Sequence, residues 1–201
     1  MYTIPGTIEV DIAEEDVLSA EHQARLFIER KKRDNYFKLY QNDGSRSELD
    51  QMTIAALGQN VTNDYLTYRL QPYTYEGNVF YNEYDDQGHD AFDALFYFTQ
   101  RPTTYDIKAS PLSPQFGVQR NAYLLISDRQ NQYKHKRPDN YIFVKVHPDK
   151  TKLYIVGVYP SSAFWEGQSF KRGNQTPCHF VTAYNTTAPL AHFLGATIPR
   201  A

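Results

Sequence analysis

Asp90-Ala-Phe-Asp-Ala-Leu-Phe-Tyr-Phe98, Thr99-Gln-Arg-Pro-Thr-Thr104 and Tyr105-Asp-Ile-Lys-Ala-Ser110 follow one another in the middle of the chain. Two runs rich in Ile, Leu, Phe and Tyr flank a Pro- and Thr-containing break, which reads as strand, turn, strand. Side chains alternate across a strand, so Asp106 and Lys108 share one face and Tyr105 and Ile107 take the other. If the strands pair antiparallel across the Gln100 to Thr103 turn, Asp93 comes beside Asp106. Two carboxylates then offer hard oxygen ligands to a divalent cation, with a lysine at the rim. That set suits phosphodiester hydrolysis, in which a metal activates water and shields the phosphate while a lysine positions or deprotonates the nucleophile. The competing reading is an exposed acid–base pair worth under about 1 kcal/mol. Asp90 competes with Asp93 for the role of first acid. Asp93 is favoured because it lies inside the apolar run, where an unpaired carboxylate costs several kcal/mol and needs a reason such as a metal.

Upstream of this segment the period is helical. Val17, Leu18, Ala24, Phe27 and Ile28 recur at helical spacing, predicting an amphipathic helix from Ala13 to Arg33. Its basic last turn, Glu29 to Arg33, either complements the helix dipole or touches phosphates. A second helix is predicted from Ser47, as N-cap, to Leu66; Gly58 interrupts it and hints at close packing. Downstream, strands are predicted at Asn78 to Tyr84, Ala91 to Phe98, Tyr105 to Ala109, Ala122 to Ser127, Tyr141 to Val146 and Leu153 to Tyr159, with a short helix over Asp128 to Lys136 and a capped turn at Ser161 to Glu166. The order implies an α/β fold with a mixed central sheet flanked by helices. Residues 1–46 read as a helical N-terminal extension and 47–201 as the α/β domain, one compact unit overall.

A chain of 201 residues that is 41% hydrophobic and 22% charged can bury one substantial core. At a net charge of -2, attraction to a polyanion must come from a local patch. The densest is Arg129, Lys134, Lys136 and Arg137, interleaved with Tyr133 and His135, which reads either as a phosphate-tracking surface or as a solvated loop. A single Cys178 and an N-terminus without a secretory pattern predict a reducing, cytoplasmic setting. No apolar run reaches the roughly 18 to 20 residues of a membrane span. The histidines lack zinc spacing, and Asp85, Asp86, His89 and Asp90 read as a solvated turn or a second metal site.

An acid on one strand, a short hairpin and then acid-x-Lys on the next resembles the PD-(D/E)XK nuclease family, the restriction-endonuclease-like fold of many restriction, repair and phage DNases. The stretches Leu124 to Gln130, Asn140 to Val146 and Lys152 to Trp165 resemble the second half of restriction-type members, in which the catalytic strand is followed by a helix and two more strands. The likeness spans Gln51 to Glu166. It implies a metal-dependent endonuclease acting on DNA, using Mg²⁺ or Mn²⁺, with Asp93 and Asp106 as ligands and Lys108 as the catalytic lysine. It also implies a homodimer by analogy. There are departures. Phe92 stands where the motif name has Pro, and Gly58 is followed by Gln59 where many members have Gly-Glu. Gln59, Glu48 and Gln130 are therefore accessory candidates. A catalytically silent module that binds nucleic acid or a protein partner is the second expectation.

Overall fold

A computed structural model describes residues 8–33, 47–70, 94–96, 103–112, 123–127, 138–162, 169–170 and 178–182. In chain order the elements are β1 (Ile8–Asp11), α1 (Glu14–Arg33), α2 (Glu48–Leu70), β2 (Ala94–Phe96), β3 (Thr103–Pro111), β4 (Tyr123–Ser127), β5 (Asn140–Val146), β6 (Lys152–Pro160), β7 (Ser169–Phe170) and β8 (Cys178–Thr182). The architecture is α/β with a mixed sheet. Asn78 to Tyr84 and Asp128 to Lys136 lie outside the described residues.

Local chemistry sets the helix starts. The Asp16 carboxylate accepts the Ala13 N–H at 3.0 Å, one half of a capping box, within an acidic first turn that suits the positive end of the dipole. Ser47 Oγ accepts the Asp50 N–H at 3.1 Å, the N-cap expected for α2. α2 runs one turn beyond the predicted end at Leu66, to Leu70. Pro72 disfavours helix in the residue before it, so the chain uses nearly all the helical length its sequence permits.

The main sheet has the order β1-β6-β5-β3-β2. β3 and β5 are parallel and the other neighbours antiparallel, so the chain crosses over between them. The N-terminal segment is built into this unit: Ile8 and Val10 of β1 pack on the core while Glu9 and Asp11 face out, and Ala20 of α1 is fully buried. β4 does not join the main sheet. It pairs with β8 in a second, three-stranded sheet, β4-β8-β7.

α2 lies between α1 and the main sheet. Ile54, Leu57, Val61 and Leu66 meet Tyr105 and Ile107 of β3, Ile142, Val144 and Val146 of β5, and Leu153 and Ile155 of β6 in one cluster. Gly58 sets the spacing: a methyl group there would stand 2.3 Å from Ala109 Cβ and 2.9 Å from Val144 Cγ2. The opposite face of β5 is buried too, with Tyr141 and Phe143 packed beside Tyr159 of β6 and Phe143 meeting Tyr159 edge-on at 5.5 Å. Burial on both faces explains why β5 reads as an apolar run broken only at Lys145 between Tyr141 and Val146.

The hairpin joining β5 to β6 is pinned to the helices. Asp149 accepts hydrogen bonds from the Thr151 N–H and hydroxyl at 3.0 and 2.7 Å and contacts His147 Nδ1 at 2.6 Å, which together hold its carboxyl down to about 2. Lys150 adopts the left-handed conformation, φ 59°, and its ammonium reaches Asp50 of α2 at 3.1 Å and Glu21 of α1 at 4.0 Å.

Gly58→Ala should destabilise the fold by about 1–3 kcal/mol through overpacking, although alanine is the better helix former by about 1 kcal/mol. Adding Ala109→Gly to the same chain should restore much of the loss, a coupling readable from the urea midpoints of the four proteins in the cycle. A Gly58→Ala protein as stable as wild type would show that the helix does not press on β3.

Candidate active site on the β3–β5 face

Because Gly58 of α2 sits against Ala109, the odd-numbered face of β3, with Tyr105, Ile107 and Ala109, belongs to the helix side. Alternation places Asp106, Lys108 and Ser110 on the opposite face. The parallel register sets Tyr141 beside Asp106, Phe143 beside Lys108 and Lys145 beside Ser110. One surface thus carries a carboxylate, two lysines and a hydroxyl against an aromatic floor.

Lys108 Nζ meets Asp106 Oδ2 at 2.6 Å, and the Asp106 side chain is 14% exposed. Among the described residues, the ion pair made by Asp106 is the one with Lys108. Two rows along, Lys145 donates to Ser110 Oγ at 2.8 Å and is 7% exposed. Burial pushes its ammonium down to about 8, and among the described residues no carboxylate pairs with it.

The start of this surface is braced. The Thr104 N–H and hydroxyl lie 2.9 and 3.0 Å from Asp139 Oδ2, and the Asp139 N–H donates to Thr104 Oγ1 at 2.9 Å. The Ser161 N–H donates to the Asp139 carbonyl at 2.9 Å, joining the end of β6 to the same clamp. Burial, reinforced by the Asp139 charge, raises the Tyr105 hydroxyl and keeps it protonated.

The structure therefore brings Asp106 and Lys108 into contact. It places Gln59 and Glu48 elsewhere: both lie on α2, across the sheet from Asp106, and Glu48 is in the first turn with Asp50, which reaches the β5–β6 hairpin. Asp93 lies outside the described residues, as do Asp85, Asp86, His89, Asp90, Arg129, Gln130, Lys134, Lys136 and Arg137. β2 does pair antiparallel with β3, with Ala94 opposite Tyr105. Among the described residues no group of three or more His, Cys, Asp or Glu is arranged to hold a metal, and no helix is long and apolar enough to cross a membrane. Ser110, Asp139 and Lys145 were not singled out from sequence. Lys145 had a signal, since it interrupts the apolar run Tyr141 to Val146.

Comparison with protein-family models, with curated proteins and with solved structures finds no match to the chain.

Lys145 has a defined effect on stability. Its folded value of about 8 lies below its ordinary 10.5, so below pH 8 both states carry the proton and the fold bears the desolvation cost. From pH 8 to 10.5 the unfolded chain holds more protons, and stability from this group rises with pH. A shift of this size corresponds to roughly 3 kcal/mol. Lys145→Met should raise stability by about 1–3 kcal/mol at pH 7, with the gain shrinking by pH 10. Urea unfolding at the two pH values checks this; a gain that does not depend on pH contradicts it.

Proposed function

We propose that the chain is a divalent-metal-dependent endonuclease that hydrolyses phosphodiester bonds in DNA, built on a restriction-endonuclease-like arrangement. The observation that carries this is the Asp106–Lys108 contact on one face of β3, in a hairpin with β2. The order α2, hairpin, β5, β6 agrees with the resemblance read from the sequence, and β4, paired in another sheet, departs from a single continuous one. DNA as the substrate rests on that resemblance.

Asp106 would supply one cation ligand. In the β2–β3 ladder Ala94 is partnered by Tyr105; Asp93 precedes Ala94 and Asp106 follows Tyr105 in sequence, which supports Asp93 as the second ligand. These are hard oxygen donors suited to Mg²⁺ or Mn²⁺. When bound, such an ion supplies Lewis-acid stabilisation of the phosphate and lowers the pKa of water. Lys108, oriented by Asp106, positions the attacking water through an N–H donor and offsets charge that builds on the phosphate. Gln59 and Glu48, the accessory candidates, lie on α2, which packs on the other face of the sheet, so neither is proposed as a ligand of this centre. Arg129, Lys134, Lys136 and Arg137 are proposed to track the DNA backbone, and a homodimer would bring two centres to two strands.

Plasmid cleavage in Mg²⁺ should fall by roughly 100-fold or more in Lys108→Ala and in Asp106→Ala, the scale of losing an electrostatic contact to the transition state. Undiminished cutting by either variant rules out the assignment. DNA binding without cleavage by the wild-type chain would favour a silent binding module.

A further inference from the structure

We propose that Ser110 and Lys145 form a nucleophile–base pair that opens carboxylic esters, an acyl-transfer activity separate from the nuclease reading and not resting on it. Three observations point to it. The two side chains meet at 2.8 Å across adjacent parallel strands, held in register from Tyr105↔Asn140 to Pro111↔Val146. Their depths differ in the useful order: Lys145 is almost wholly buried while Ser110 is only half-buried, so an incoming electrophile meets the hydroxyl before the amine. Among the described residues the lysine's partner is a hydroxyl rather than a carboxylate, and burial holds its ammonium down to about 8, so the neutral amine is accessible near neutral pH. In that form the same contact lets the serine O–H donate to Nζ, the activation that a weak nucleophile requires. Had Lys145 been the exposed partner, imine formation with a carbonyl would fit better; its burial argues for the base.

The step balances within the pair. Ser110 Oγ bonds to the ester carbonyl carbon as its proton passes to Lys145 Nζ. The bond from that carbon to the alcohol oxygen then breaks, and the ammonium returns the proton to the departing alcohol. Water attacks the acyl carbon, gives a proton to Nζ and forms the carboxylic acid as Ser110 Oγ leaves and is reprotonated. The charged or titratable groups on the flanking described strands are Asp106 and Lys108, on the same face of β3, with Tyr105 on its other face, and, on β6, Tyr154 opposite Lys145, Lys152 paired with Glu9 of β1, and Tyr159. α2 faces the other side of the sheet.

The test is labelling of the full chain with a biotinylated alkyl fluorophosphonate, in which a serine oxygen displaces fluoride at phosphorus, followed by intact mass and peptide mapping. One adduct is expected, at Ser110, absent in Ser110→Ala and formed roughly 100-fold or more slowly in Lys145→Met, the scale of losing a general base. Circular dichroism establishes that each variant is folded. Should Lys145→Met not fold, Lys145→Arg, which keeps a cation but cannot accept the proton, must show the same slowing. No adduct at Ser110 on the folded wild-type chain, or an unchanged rate in a folded Lys145 variant, overturns the proposal.

Discussion

The approach of Gly58 to Ala109 and Val144 is the constraint on which the rest of the structure depends. It allows α2 to lie directly on β3 and β5, and so commits the odd-numbered residues of β3 to the core. Strand alternation then leaves Asp106, Lys108 and Ser110 no choice but the opposite face. A single atom missing from a helix thus decides which side of the sheet can carry chemistry. The same contact keeps Gln59, the next residue along, on the helix that packs against the other face of the sheet from Asp106.

The chemical face gains its character from its neighbours. Tyr141, Phe143 and Tyr159 form an apolar floor that reduces the solvation of any charge standing on it. Asp106 and Lys108 answer this by neutralising one another at 2.6 Å. Lys145 donates to a hydroxyl and, among the described residues, pairs with no carboxylate, and burial lowers its ammonium to about 8. Two lysines on one face therefore have different chemistry: one is held by a carboxylate, the other is poised to lose its proton. The clamp of Thr104, Asp139 and Ser161 ties the entry of β3 to β5 and β6, keeping the two strands in register along the whole surface.

Much of this was legible in the sequence. Helical periodicity and an N-cap located α1 and α2, and β-branched and aromatic runs located β3, β5 and β6, because these signals are local. The shared face of Asp106 and Lys108 followed from alternation alone. Pairing was less legible. β4 satisfies the strand pattern, yet its partner begins at Cys178, and nothing in a strand's own residues names a partner so distant. β1 is a four-residue alternation of apolar and acidic side chains, too short to stand out from its surroundings. The side of the sheet that α2 covers was hidden for another reason. Thr53, Thr62 and Asn63 are buried along with its apolar residues, so the helix has no clean apolar stripe to betray its orientation. Lys145 is one cation inside a strand otherwise apolar from Tyr141 to Val146, and a single break in such a run does not tell from sequence whether the lysine is buried.

The proposed function requires Asp93 and Asp106 to bind one divalent cation together. Calorimetric titration of the chain with Mn²⁺, without DNA, addresses it directly. The account predicts saturable binding in the wild-type protein that is lost in both Asp93→Asn and Asp106→Asn and retained in Gln59→Ala. Binding that survives either aspartate substitution, or that disappears with Gln59, would contradict it.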